Sequence, residues 1–175
     1  MEDTGTRLWT PPLGLAGCVR AAMLRDTRSR ALNAAQRENY FPAAPLVQLG
    51  WWFAGDGEWL TRPGFWVPPP GFSLKPLMLS GPFTRPTHTR NTGPMHALML
   101  LFPPDIFQAL TGIKVAALVN QMVHAETLLP PDWFSWAMTL HAAITPAARQ
   151  QHASSTPAAR QQHANHSIKL PGAAH

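Results

Sequence analysis

Met95-His-Ala-Leu-Met-Leu-Leu-Phe102-Pro-Pro-Asp-Ile-Phe-Gln-Ala-Leu-Thr-Gly112 is the stretch whose reading decides the fold. Its first half, Met95 to Phe102, is apolar except for His96, as expected of a strand buried on both faces. A buried helix gives the same run. Turn residues on both sides, Asn91-Thr-Gly-Pro94 and Pro103-Pro104, favour the strand. The second half reads as a short helix. Pro104 suits its first position, Asp105 its positive end and Gly112 its close. Ile106, Phe107 and Leu110 fall on one face of that helix.

Upstream, the pattern stays extended. Leu46-Val-Gln-Leu-Gly-Trp-Trp-Phe53 is the best strand of the first half, rich in aromatic and β-branched residues. Ala54-Gly-Asp-Gly57 then supplies a hairpin turn, and Asp56 with Glu58 reads as its solvated tip. Residues 61–72 form a proline-rich loop that cannot supply a central strand. Cys18 to Arg25, Lys75 to Ser80 and Thr84 to Thr89 are shorter extended candidates. Residues 1–14 read as a flexible arm ending near Pro11-Pro12. Downstream, Val115 to Ala125 reads as a helix with Val115, Leu118, Val119 and Met122 in one stripe. A third helix opens at Pro131-Asp132 and gathers Trp133, Trp136, Ala137 and Leu140. Residues 145–175 form a tail holding an exact repeat: Thr145 to Ala153 recurs as Thr156 to Ala164. The tail has almost no apolar face, so it is expected to be disordered or to form two weak helical turns.

Composition narrows the class. Nineteen prolines and twelve glycines are too many for a helical bundle and suit strands joined by turns. The formal charge of +5 invites a nucleic-acid reading. Residues 1–144, however, carry eleven Lys/Arg against nine Asp/Glu, and the excess lies in Arg149, Arg160 and Lys169 of the tail. No concentrated basic face is expected, and no direct nucleic-acid binding. The longest apolar run falls far short of the roughly 20 residues of a membrane span, so a soluble, cytoplasmic chain is expected. Cys18 is the single cysteine, which leaves no disulfide framework. Leu15-Ala-Gly-Cys18 matches a lipoprotein cleavage box, but it follows neither a basic start nor an apolar helical run. A half-buried thiol at the start of a strand is the preferred reading.

Four segments, in order, resemble the N-terminal sensor and dimerisation domain of AraC-type (AraC/XylS) transcription regulators. They are Tyr40 to Gly55, Leu79 to Pro86, Gly93 to Gly112 and a looser match over Leu118 to Trp133. The resemblance covers roughly residues 15–140. It implies a cupin-like β-barrel or jelly roll over 15–144, followed by two or three short helices. Such a domain senses a small-molecule effector or pairs with a second copy. In the family a further domain with two helix-turn-helix units reads DNA, and no counterpart is expected after Thr145. The chain would then form homodimers, or heterodimers with a full-length relative. Two alternatives stay open: a small cupin-type metal-dependent enzyme, and a frameshifted remnant.

No nucleophile elbow, phosphate loop or HExxH motif is present, so no catalytic residue, cofactor or metal is assigned. His88 with His96, and His124 with Glu126, lack the His-x-His spacing of metal cupins. The arginines Arg25, Arg28, Arg30 and Arg37 read as a solvated face. Candidates for an effector pocket are Trp51, Trp52, Phe53, His96 and Met99. Alternation along a strand puts Trp52 on one face and Trp51 with Phe53 on the other, leaving open which face enters the barrel.

Overall fold

The computed structural model describes residues 5–144. Over that span the chain forms nine strands and two α-helices. The strands are β1 (Thr6–Trp9), β2 (Ala21–Asp26), β3 (Glu38–Phe41), β4 (Val47–Ala54), β5 (Gly57–Trp59), β6 (Leu77–Ser80), β7 (Thr87–Asn91), β8 (His96–Phe102) and β9 (Met122–His124). The helices are α1 (Pro104–Thr111) and α2 (Pro131–Ile144). The reading as mainly β with helices toward the C-terminus therefore holds, and β8 leading into α1 is as the deciding stretch predicts.

Six strands make one antiparallel sheet in the order β1-β2-β8-β4-β6-β9, and three make a second in the order β3-β7-β5. From β3 to β8 successive strands alternate between the two sheets. The sharpest of these crossings follows β4. Only Gly55 and Asp56 separate it from β5, yet β5 pairs with β7 and not with β4. Gly55 makes the corner possible: its φ is +87°, and a Cβ there would fall on the Pro94 carbonyl. The expected hairpin is thus a crossing between sheets, and Glu58 pairs with Arg90 of β7 at 3.2 Å. The two ladders remain separate, so no closed barrel forms among the described residues.

β8 is central because its side chains serve two layers. Its register against β4 runs from Val47↔Phe102 to Trp52↔Ala97, with a bulge at Phe53 before Ala54↔His96. Leu98, Leu100 and Phe102 join Val47, Leu49 and Trp51 on one face, where α1 and α2 cover them. Phe107, Val115, Leu118, Ala125, Leu129 and Ala137 complete this core from the helical side. Burying a side chain of this size stabilises by about 1.5–3 kcal/mol. Ala97, Met99 and Leu101 face the other way, toward the three-stranded sheet.

Helix α1 begins at Pro104 and closes on Gly112 in the left-handed region, φ +74°, whose N–H reaches the Gln108 carbonyl at 2.8 Å. Its buried face carries Phe107 and Thr111, whereas Leu110 is exposed. In α2, Ala137 is fully buried and Trp133 and Leu140 pack against the core. Trp136 stays half exposed, its ring edge-on to Trp51 and Trp133.

Two segments differ from the sequence reading. Val115–Ala125 is not a helix: a 3₁₀ turn at Val115–Leu118 gives way to Asn120 at φ 55° and then to β9, which pairs with β6. Edge pairing on β6 wins over the helical stripe. The segment read as a flexible arm contributes β1, laid against β2 with Thr6↔Arg25 and Trp9↔Ala22 in register. The Arg25 guanidinium fastens it by donating to Thr6 Oγ1 at 2.7 Å. Cys18 is half-buried in the turn that leads into β2, its N–H donating to the Leu15 carbonyl. The repeated tail lies outside the described residues. No helix among them is long and apolar enough to cross a membrane.

Candidate functional site

Between the two sheets lies a cavity of about 270 Å³. Its walls follow from strand alternation. The six-stranded sheet contributes Met23, Gln48, Trp52, Met99 and Leu101. The three-stranded sheet contributes Asn39, Phe41, Trp59, Thr87, Thr89 and Asn91. Met95, Phe83, Leu74 and Met122 also line it. The wall is mostly apolar and sulfur-rich, which suits a site that adapts to an apolar ligand.

The five residues singled out from sequence divide between the two faces of the large sheet. Trp52 and Met99 line the cavity. The outer end of the Trp52 ring lies against Gly50, where an added Cβ would stand 2.5 Å from Cζ3 and 2.9 Å from Cη2. Trp51 is on the opposite face, fully buried, with its indole N–H donating to the Ala137 carbonyl at 2.7 Å. Phe53 and His96 also lie on the helical side. Their rings are 4.9 Å apart, and Phe53 is 5.3 Å from His141 of α2. The period of two in β4 and β8 thus separates the cavity residues from the core residues.

The polar groups on the wall were not singled out from sequence. Asn39 donates through Nδ2 to the Arg37 carbonyl at 3.1 Å, Thr89 Oγ1 at 3.4 Å and Asn91 Oδ1 at 3.1 Å. Thr87, Thr89 and Asn91 share a face of β7 with the period of a strand, a signal the sequence did carry. Arg25 departs most from expectation. It is half-buried, and among the described residues it is the only charged one that lines the cavity. Its guanidinium donates to Thr6 Oγ1 and to the Gln36 carbonyl. Burial lowers its pKa, and no carboxylate pairs with it among the described residues. Arg28, by contrast, forms a bidentate pair with Asp26.

Three polar atoms around the cavity have no protein hydrogen-bond partner among the described residues: Arg25 Nε, Asn91 Nδ2 and Ser80 Oγ. Asn91 is 5% exposed and Ser80 is 2% exposed. A buried donor left unpaired costs about 1–3 kcal/mol. Polar groups of this kind on a cavity wall are satisfied by water or by a ligand.

The histidines do not converge. His88, fully buried, sits on the outer face of β7, stacked on Tyr40 at 3.9 Å and bonded to Glu38 at 2.9 Å. His96 belongs to the far face of the other sheet. His124 bonds the Ser73 carbonyl, and Glu126 pairs with Lys75. Among the described residues no group of three or more His, Cys, Asp or Glu is placed to hold a metal ion. Compared with known proteins, the chain matches no family model, no curated protein and no solved structure.

Proposed function

We propose that this protein is a non-enzymatic, effector-sensing and dimerisation domain of the AraC type, its two sheets forming a cupin-like jelly roll around the effector site. The observation that carries this reading is the largely apolar cavity held between the sheets, with Trp52 and Met99 on its wall. A cavity with a few convergent polar groups is the ordinary form of a small-molecule site. The order of the four family-like segments supports the same reading. In it the domain acts in the cytoplasm and pairs with a second copy of itself or with a full-length relative, and DNA contact belongs to a separate helix-turn-helix domain. Effector binding changes the relative stability of two arrangements of the pair only through differential contacts in the cavity.

The test is a fusion of the full chain to a helix-turn-helix domain that cannot dimerise alone. The expected result is operator repression that depends on the fused chain and responds to ligands which occupy the cavity. Repression no greater than that of the isolated DNA-binding domain would overturn the reading.

A further inference from the structure

Arg25 Nε and Asn91 Nδ2 are both donors, both lack a protein partner among the described residues, and both belong to residues that line the cavity. A short chain of bonds ties them together. Arg25 Nη2 donates to the Gln36 carbonyl at 3.0 Å. The next carbonyl, that of Arg37, accepts from Asn39 Nδ2, which also donates to Asn91 Oδ1. That last bond engages the Asn91 amide oxygen and leaves its buried NH₂ without a protein acceptor among the described residues. Arg25 is held through both terminal nitrogens, leaving the Nε–H. Among the described residues no aspartate, glutamate or histidine lines the cavity.

Two unpaired donors on the cavity wall, one of them on a half-buried cation without a carboxylate partner among the described residues, favour an anionic acceptor. The rest of the wall selects an apolar body. Met23, Met95 and Met99 with Trp52, Trp59 and Phe41 line the same cavity. A cavity of about 150 Å³ holds a benzene molecule, so 270 Å³ holds a body of about a dozen non-hydrogen atoms. We infer that the cavity takes a small apolar monocarboxylate, its carboxylate on Arg25 and Asn91 and its apolar body against the methionines and tryptophans. This inference rests on the effector-site reading and specifies the class of effector.

The probes are 3-phenylpropanoate and its uncharged analogue 3-phenylpropan-1-ol, titrated into the full chain with intrinsic tryptophan fluorescence and calorimetry as readouts. The expected result is at least tenfold tighter binding of the acid. Arg25→Gln and Asn91→Asp should each remove that preference while the alcohol still binds, which shows that the cavity is intact. If a variant fails to fold, the acid-to-alcohol ratio of the unmodified chain decides alone. Equal affinity for both probes, binding of the alcohol only, or a preference that survives Arg25→Gln overturns the carboxylate assignment and leaves the effector site standing. Binding of neither probe overturns both.

Discussion

The indole N–H of Trp51 donates to the main-chain carbonyl of Ala137 at 2.7 Å, with both residues fully buried. This bond joins the middle of β4 to the middle of α2 and couples the helical layer to the large sheet. Trp51→Phe removes the donor and part of the ring from a packed site, and is expected to cost about 2–3 kcal/mol in urea unfolding. Its neighbour gives the contrast. Trp52→Phe should change stability by less and ligand affinity by more, because Trp52 faces the cavity.

Gly50 offers a finer test of the same wall. A methyl group there would meet the Trp52 ring, the movable end of a side chain. Gly50→Ala is therefore expected to fold and to tip the ring into the cavity, weakening binding of an apolar probe about tenfold. A titration of 3-phenylpropan-1-ol checks it, and unchanged affinity would count against the position assigned to Trp52.

Two glycines should behave differently when replaced by alanine. At Gly81 the new Cβ would fall on the Leu118 carbonyl, which is backbone and cannot swing aside. Gly112 has open space around it and only the left-handed φ of +74° to oppose a side chain. Gly112→Ala is expected to cost about 1 kcal/mol. Gly81→Ala is expected to cost about 3 kcal/mol or more, since a packed backbone must shift. Comparison of the two by thermal unfolding checks the order.

What the sequence revealed and what it hid divide along physical lines. β4, β8 and α1 were legible because each carries its own signal: aromatic and β-branched runs, or proline and glycine at the two ends of a helix. β9 was hidden because Met122-Val-His124 is too short to show a period and becomes a strand only by pairing with β6. β1 was hidden for the same reason, as its partner is β2. Within the site, Trp52 and Met99 were in the candidate set because large apolar side chains stand out. Which of Trp51 and Trp52 faced the cavity depended on the register of β4 with β8 and on the placement of α2, and neither is a local property. Arg25 was hidden among Arg28, Arg30 and Arg37, since charge spacing does not say which arginine a strand turns inward.

Acid should probe the start of the β2–β3 connection. Hydrogen bonds from Arg28 hold the Asp26 carboxyl down from its ordinary 3.8 to about 2, against the opposing effect of burial. A carboxylate whose folded pKa is depressed contributes stability above its unfolded pKa and loses it as pH falls through the folded value. The contribution of Asp26 is therefore full above about pH 4 and lost toward pH 2. About a third of each side chain of the pair is exposed, so the effect is modest. Urea midpoints measured from pH 5 to pH 2 should fall less steeply for Asp26→Asn than for the unmodified chain.

Selective methyl labelling of methionine tests the central claim most directly. Met23, Met95, Met99 and Met122 line the cavity, whereas Met138 packs against the helical core. On addition of 3-phenylpropanoate, saturable shifts in the methyl signals of the cavity methionines, with Met138 unmoved, are the predicted result. No saturable shift in any of the four with either 3-phenylpropanoate or 3-phenylpropan-1-ol, or a shift confined to Met138, would contradict a ligand site between the two sheets.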